Sequence, residues 1–164
     1  MKKGYKKPNL ESKYFDELFE SLPSLEDKTV LITGTTTGTG YTAAEACGKL
    51  GAKVVLLNRP SERAKTSFEK LKETTSNGSF YPIDCDLQSF ASVRDCIPKI
   101  NELCPEGIDV LCNNAGVMAL EDMPTDDGYD IQMQTNHLSH FLLTKLLWPL
   151  LEKAADEKGE ARVV

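Results

Sequence analysis

Short apolar runs and longer mixed segments alternate along this chain from Lys28 onward. In the mixed segments, apolar residues recur every three or four positions, which is typical of a helix with one buried face, whereas the short runs are typical of buried strands. Pro98 interrupts one helical segment and is expected to distort it. The predicted strands are 29–33, 53–57, 79–83, 109–112 and the start of one at 162–164; the predicted helices are 40–50, 61–75, 89–104 and 126–153.

The regular order of strands and helices predicts the fold class. Strands that alternate with helices are joined by crossover connections, so they pair in parallel and the helices cover both faces of the sheet. The sequence therefore predicts an α/β protein with a Rossmann-type, doubly wound parallel sheet in one domain over residues 28–164. Because the last strand has only begun at Val164, we expect the sheet to be incomplete at the C-terminus.

Residues 1–27 form a separate segment, a basic arm followed by a short amphipathic helix. The lysines of the arm are Lys2, Lys3, Lys6 and Lys7. The apolar face of the helix consists of Phe15, Leu18, Phe19 and Leu22, and Pro23 ends it. We expect this helix to pack on the domain's own surface. Docking on a partner or a membrane surface is the alternative, disfavoured because the basic residues are not on the helix itself.

The composition argues against two classes of function. A net charge of −6 and a pI near 5.0 disfavour nucleic acid as a partner, since binding to phosphate backbones requires a basic face. No apolar run approaches the roughly 18 residues of a membrane span. The five cysteines contain no C-x-x-C pair and lie in predicted elements, which indicates free thiols, no metal site, and the cytoplasm or another reducing compartment such as an organelle stroma or matrix.

A glycine-rich turn joins the first predicted strand to the first predicted helix. The N-terminus of a helix presents free N–H groups and the positive end of the helix dipole, and both favour a bound phosphate. Gly34 would permit the tight turn, Gly38 the close approach of phosphate to the backbone, and Gly40 the close packing of helix on strand. A loop that only connects is the alternative. The predicted pyrophosphate contacts are Gly34, Thr36, Thr37, Gly38, Thr39 and Gly40.

Ligands of a doubly wound sheet bind beyond the carboxyl ends of its strands. After the third strand, Asp86 is suited to accept a hydrogen bond from an adenine amino group while the Leu87 backbone holds the ring edge. A helix cap at Asp86 or Ser89 is an equally good explanation of the same residues. The fourth strand is followed by Asn113, Asn114, Ala115 and Gly116. Small residues there allow a cofactor to approach closely, and the amides can tie neighbouring strands together.

The end of the second strand indicates which dinucleotide binds. An acidic residue there would accept hydrogen bonds from the adenosine ribose of NAD and would repel the extra phosphate of NADP. This chain has neutral Asn58 and then Arg59, whose planar guanidinium suits a phosphate, and both are predicted to contact the cofactor. Arg63, one turn into the next helix, is expected to add positive charge. We therefore predict NADP(H) in preference to NAD(H). The alternative is a solvated Arg59 with no cofactor preference.

These motifs together resemble the short-chain dehydrogenase/reductase family. The residues that carry the resemblance are Thr33-Gly34-x-x-x-Gly38-x-Gly40, Asp86-Leu87, Asn113-Asn114-Ala115-Gly116 and the segment 127–144. That last segment contains Thr135-Asn136-His137-Leu138-Ser139-His140-Phe141 and is similar to the branch of retinol dehydrogenases and protochlorophyllide reductase. The resemblance covers residues 28–164.

The resemblance implies hydride transfer between NAD(P)(H) and a small carbonyl or alcohol, here an apolar one. It implies that Asn136 is catalytic, anchoring a water in a proton relay, whereas His137 and His140 are expected to be packing residues. The family's catalytic Ser and Tyr-x-x-x-Lys follow the fifth strand, and none of the five tyrosines here has a Lys four residues on. We therefore expect no turnover from residues 1–164 alone.

Two functions remain open at this point. The first is an oxidoreductase of which this chain is the cofactor-binding part. The second is a non-catalytic nucleotide-binding or scaffold subunit with a shortened Rossmann fold, in which a homo-oligomer or a partner chain covers the missing half of the sheet. A methyltransferase that binds S-adenosylmethionine is disfavoured, because it gives no reason for the Asn113–Gly116 segment.

Overall fold

A computed structural model describes residues 15–164 as an α/β fold built on one parallel sheet. The strands are β1 (Thr29–Thr33), β2 (Lys53–Asn58), β3 (Ser79–Asp84), β4 (Val110–Cys112) and β5 (Arg162–Val163). The helices are α1 (Phe15–Ser21), α2 (Gly38–Lys49), α3 (Glu62–Thr74), α4 (Phe90–Asp95), α5 (Ile97–Leu103), α6 (Ile131–Met133) and α7 (Ser139–Lys158), with a π-helical segment (Gln134–Leu138) between the last two.

The strand order is β3-β2-β1-β4-β5, and every pairing is parallel. The chain therefore builds outward from β1 in one direction through β2 and β3, and then returns to the other side of β1 with β4. This reversal between β1 and β4 is the switch point at which doubly wound sheets bind ligands. The predicted Rossmann-type sheet is confirmed.

Side chains alternate between the two faces of the sheet, and each face has its own apolar core. Leu31 and Val55 face a cluster with α4, α5 and α7. Val30 and Val54, their neighbours in sequence, face a second cluster with α2 and α3. Because both faces are covered by helices, β1 and β2 read as continuous apolar runs rather than as alternating ones.

Two helical predictions need correction. The predicted helix 89–104 is divided at Cys96 into α4 and α5, and Pro98 lies in the first turn of α5, where its missing N–H costs no hydrogen bond. The predicted helix 126–153 begins later, at Ile131, because Gly128 turns the chain with a φ of 83°. Asp130 caps that start, its Oδ1 accepting from the Met133 N–H at 2.7 Å.

Helix α1 does not pack on the domain as expected. It contains no buried residue, and Leu18 is 58% exposed. The rings of Phe15 and Phe19 stack on each other with centroids 5.9 Å apart. The lysine arm lies outside the described residues. Across the part of the chain that the structure describes, no helix has both the length and the apolar character needed to cross a membrane.

All five cysteines are unpaired thiols. Cys85, Cys96 and Cys104 are buried in the apolar core beneath α4, α5 and α7. Burial raises the pKa of the Cys104 thiol, and also that of Cys112 at the end of β4. These side chains therefore pack as small protonated apolar groups.

A buried carboxylate joins three elements at the amino edge of the sheet. Asp109, which is 4% exposed, accepts a hydrogen bond from the Thr29 N–H at 2.8 Å. Its two oxygens also receive Lys28 Nζ at 3.0 Å and Lys158 Nζ at 2.9 Å. One side chain therefore ties the start of β1 and the end of α7 to β4.

Replacing Asp109 by Asn is expected to lower the free energy of unfolding by about 2 kcal/mol at pH 7, because it removes one charge from a buried network and leaves two lysines without their partner. Burial raises the pKa of Asp109, but the Thr29 N–H and the two lysines outweigh burial, so that the net pKa lies below the ordinary value of an aspartate. A carboxylate with a lowered folded pKa contributes its stability above the unfolded pKa and loses it as pH falls through the folded one.

Urea unfolding at pH 7 and through the acid range measures this difference. The difference in free energy of unfolding between wild type and Asp109→Asn should be largest at neutral pH and should decrease only below about pH 4. Glu157→Gln, which breaks the exposed pair with Lys153 on α7, is the matched control and should change stability by no more than about 0.5 kcal/mol. A gap that is the same at pH 7 and pH 3 would contradict the ionic role of Asp109.

Candidate functional site

The carboxyl ends of β1 to β4 surround a cavity of about 240 Å³. Each of the four strands contributes the residues that follow it, which is the geometry expected at the switch point of a doubly wound sheet. The predicted site residues that line the cavity are Gly34, Thr36, Asn58, Arg59, Asp86, Leu87, Ala115 and Gly116. Arg63, expected from the sequence as a further source of positive charge, also lines it. Residues that line it without having been predicted are Leu57, Ser61, Cys85, Gln88, Val117 and Thr135.

Three glycines give the turn after β1 its shape, each for a different reason. Gly34 has a φ of 73°, and a Cβ there would lie 2.8 Å from the Cβ of Ala115. Gly40 faces the carbonyl oxygen of Gly34 and the side-chain amide of Asn114 so closely that no Cβ fits. Gly38 has a φ of 67°, but a Cβ there would meet nothing within 4 Å. The first and third glycines therefore permit packing, while the second borders open space.

The N-terminus of α2 opens onto that space. Thr37 is its N-cap residue and makes no side-chain cap hydrogen bond, whereas Ser61 and Ser89 cap α3 and α4 with their hydroxyls. The first N–H groups of a helix have no intrahelical partner. Uncapped amides, the positive end of the helix dipole and an open approach at Gly38 together suit an anion such as a pyrophosphate. The residues present at this site therefore fit a dinucleotide.

Asn58 lines the cavity and also supports the glycine turn through its side-chain amide. Its Oδ1 accepts from the Thr35 N–H at 2.8 Å, and its Nδ2 donates to Thr35 Oγ1 at 2.8 Å. Both residues are buried, with Thr35 fully so. The side chain at the end of β2 is therefore committed to the glycine turn, a role that the sequence did not reveal because its partner lies 23 residues away.

The arginines that follow β2 differ in their contacts. Arg63 Nη2 donates to Thr37 Oγ1, which brings a cation to the start of α2. Among the described residues, the guanidinium of Arg59 has no hydrogen-bond or ion-pair partner, although it borders the cavity. A second cavity lies beside the turn, and its lining includes Thr37, Gly38, Arg63 and Lys70. This corner of the site is therefore positively charged in a protein whose net charge is −6.

Asp86 and Leu87 lie at the end of β3 and are partly committed to local structure. The Oδ1 of Asp86 accepts from the Gln88 N–H at 2.9 Å, and the helix cap that was the alternative for this residue belongs to Ser89. Its Oδ2 makes no hydrogen bond with the described residues. The carbonyl of Leu87 accepts from the buried hydroxyl of Ser139 at 2.6 Å. The Asp86 carboxylate thus retains an oxygen for a ligand at the cavity.

Of the residues that follow β4, two bond neighbouring elements of the fold and two line the cavity. Asn114 donates to the carbonyls of Thr33 and Gly34 at 2.9 and 3.2 Å, and its Oδ1 accepts from Thr39 Oγ1 at 3.1 Å. The Asn113 Nδ2 donates to Thr144 Oγ1 at 3.1 Å. The expected tying of neighbouring strands by amides is therefore present in the structure, while Ala115 and Gly116 form the cavity wall.

Asn136 lies in the π-helical segment, an element that the apolar periodicity did not predict. Its Oδ1 accepts from the Val117 N–H and its Nδ2 donates to the Val117 carbonyl, both at 2.8 Å. Single π-helical turns are frequent at functional sites. Of the two histidines beside it, His140 is 6% exposed and hydrogen-bonded, whereas His137 is exposed, so only His140 is the buried residue that was expected.

The family is decided by comparison with known proteins. A family model described as short chain dehydrogenase matches residues 28–164. The chain belongs to the short-chain dehydrogenase family. Human polyprenol dehydrogenase is 36% identical over 142 residues, which are 87% of this chain and 43% of that protein. Human retinol dehydrogenase 13 is 36% identical over 138 residues, which are 84% of this chain and 41% of that protein.

A solved member of the short-chain dehydrogenase family has the same fold. The Pseudomonas aeruginosa RhlG/NADP active-site complex matches with a TM-score of 0.71 at 33% identity, covering 85% of this chain and 54% of that one. The chain therefore spans less than half the length of the two curated relatives and about half of this solved structure. Its sheet corresponds to the first part of the larger Rossmann-type fold of the family.

Proposed function

We propose that this chain is the dinucleotide-binding part of an NADP(H)-dependent oxidoreductase that acts on an apolar carbonyl or alcohol. The observation that carries the proposal is the uncapped start of α2 facing open space at Gly38, with Arg63 bonded to the cap residue Thr37. The nicotinamide ring, when bound, supplies or accepts the hydride. The residues of this chain bind the pyrophosphate, orient the adenosine and exclude water from the wall at Ala115 and Gly116.

The preference for NADP(H) is supported by charge. Arg59 and Arg63 both border the cavity at the end of β2, and no acidic residue directly follows this strand to hold a ribose or repel a phosphate. The guanidinium of Arg59 suits a phosphate in two-point geometry. The NADP in the RhlG complex is consistent with this preference but belongs to that protein.

The apolar substrate is supported by the loop between β4 and α6. The exposed side chains of this loop include Met118, which is 87% exposed, and Met123, and Met133 of α6 is also exposed. Methionine-rich surfaces adapt to apolar ligands of irregular shape. Two relatives are named for the alcohols polyprenol and retinol.

The free thiols support a reducing compartment.

The proposed role of Asn136 is catalytic by resemblance, and its side chain holds Val117, which lines the cavity. We also propose that a further strand, from additional chain or a second subunit, pairs with β5. Both residues of β5 are exposed, and an exposed strand edge is a template for such pairing.

Titration of residues 1–164 with NADPH and NADH, followed by nucleotide fluorescence, tests the proposal. We expect NADPH to bind about tenfold or more tightly than NADH, since charge-assisted hydrogen bonds to a phosphate contribute roughly 1.5–3 kcal/mol. Equal affinities would remove the preference for NADP(H). No binding of either nucleotide would overturn the dinucleotide site and favour a scaffold function.

A further inference from the structure

We propose that His140 is a positioning residue that holds the Ala115–Val117 turn in place from both sides through two separate hydrogen-bonded arms. This inference rests on the proposed function for its effect on binding, because that turn is a wall of the proposed dinucleotide site. No motif of the glycine loop or of the sheet edge includes His140, which lies at the start of α7.

The first arm runs through β1. His140 Nε2 lies 2.9 Å from Thr33 Oγ1, and both side chains are buried. Thr33 Oγ1 in turn accepts from the Ala115 N–H at 2.9 Å. The carbonyl of Cys112 also lies near the Thr33 hydroxyl, but at 3.5 Å it is the weaker acceptor. The imidazole therefore orients the Thr33 hydroxyl so that an Oγ1 lone pair accepts from the Ala115 N–H.

The second arm runs through the π-helical segment. His140 Nδ1 lies 3.1 Å from the Asn136 carbonyl oxygen. Asn136 holds both backbone groups of Val117 with its side-chain amide. The two arms thus reach residues on either side of Gly116, where a Cβ would lie 3.4 Å from Asn136 Oδ1. Ala115 and Val117, at the two ends of this part of the cavity wall, are thus both held by residues that contact the His140 imidazole.

The partners determine the tautomer. A carbonyl oxygen can only accept, so the hydrogen bond to Asn136 requires a proton on Nδ1. A neutral imidazole then has a bare Nε2, which accepts from the Thr33 hydroxyl. Burial lowers the pKa of His140 and the nearby His137 lowers it further, while the Asn136 carbonyl acts in the opposite direction. The neutral form with Nδ1 protonated satisfies both the contact to Asn136 and the contact to Thr33.

Two substitutions separate the arms. His140→Gln places a side-chain oxygen near the position of Nε2 and can keep the Thr33 contact, whereas His140→Asn places an amide near Nδ1 and keeps only the Asn136 contact. Thr33→Val removes the hydroxyl at similar volume, and Thr33→Ser retains it. We expect NADPH affinity of the 1–164 chain to fall about tenfold in His140→Asn and in Thr33→Val, which lose the arm through Thr33. It should fall about threefold in His140→Gln, which loses the arm through Asn136, and should equal that of wild type in Thr33→Ser.

The double variant His140→Asn/Thr33→Val should bind no more weakly than either single variant, because both remove the same arm. Additive losses, or wild-type affinity in His140→Asn, would overturn the inference. Circular dichroism checks that each variant folds.

Measurements on the protein without nucleotide keep the inference separate from the proposed function. Nitrogen NMR of the wild-type imidazole at neutral pH should show Nδ1 protonated and Nε2 bare. Amide hydrogen exchange at Ala115 should quicken about tenfold or more in Thr33→Val and His140→Asn but not in His140→Gln. A proton on Nε2, or unchanged exchange at Ala115, would overturn the role of His140 even if NADPH binds. If NADPH does not bind while these results hold, the positioning stands and the proposed function fails.

Discussion

Gly40→Ala is expected to abolish measurable NADPH binding and to destabilise the protein by about 2–3 kcal/mol. The added Cβ would overlap the Gly34 carbonyl and the Asn114 amide, neither of which can move freely. Gly34 is held by its N–H donating to the Leu57 carbonyl at 2.9 Å, and Asn114 is tied to β1. Relief of the clash therefore requires α2 to move away from the strand, which displaces the amides proposed to bind pyrophosphate.

Urea unfolding and NADPH titration measure the two effects of Gly40→Ala. Thr42→Ala lies on the exposed side of the same helix and should change both quantities little, since exposed substitutions usually stay within about 0.5 kcal/mol. Gly38→Ala has room for its Cβ but requires a left-handed backbone, so we expect a smaller loss of stability, roughly 1–2 kcal/mol. Tight NADPH binding by Gly40→Ala would contradict the close packing of α2 on β1 as the basis of the site.

Arg59→Glu is expected to weaken NADPH binding by about 100-fold and to leave NADH binding unchanged within about threefold. The substitution removes a cation that borders the cavity with no partner among the described residues. It also places a carboxylate where we propose that the ribose phosphate of NADP binds. Loss of a charge-assisted hydrogen bond accounts for roughly 1.5–3 kcal/mol, and like-charge repulsion adds to it. NADH has no phosphate at that position.

Lys72→Glu is the matched control for Arg59→Glu, because it makes the same change in net charge on the last turn of α3. That turn lies roughly 15 Å along the helix from its start, which is beyond the Debye length of about 8–10 Å in physiological salt. Both nucleotides should bind Lys72→Glu as they bind wild type. Equal losses of NADPH and NADH affinity in Arg59→Glu would contradict the phosphate role.

Local patterns in the sequence were sufficient for most of the fold. The strand predicted at 29–33 matches β1 residue for residue, and 53–57 and 79–83 each miss one terminal residue of β2 and β3. Buried parallel strands have apolar side chains on both faces, which makes their runs conspicuous. The long C-terminal helix was predicted less well, because the apolar periodicity does not show that Gly128 turns the chain or that a π-helical segment precedes α7.

The candidate site was predicted as a set of positions and not as a set of contacts. Arg59, Asp86 and Gly116 were expected at the carboxyl edge and do line one cavity. Asn58 was expected to contact the cofactor; it lines the same cavity, and its amide in addition holds Thr35. Asn136 was identified by resemblance, and only the structure shows that its amide hydrogen-bonds both backbone groups of Val117. The functions of these amides depend on partners far away in sequence, which local patterns do not identify.

Local sequence patterns were enough to predict the strand–helix order, the glycine turn after β1 and the polar residues at each strand end, because these follow from burial and backbone conformation within a few neighbouring residues. Which side chains support the site through hydrogen bonds could be seen only in the folded protein. Asp109, Asn58 and His140 each bond elements that the chain brings together only on folding. Long-range pairing of polar groups depends on the packing of the sheet and helices, and so it appears only when the fold is complete.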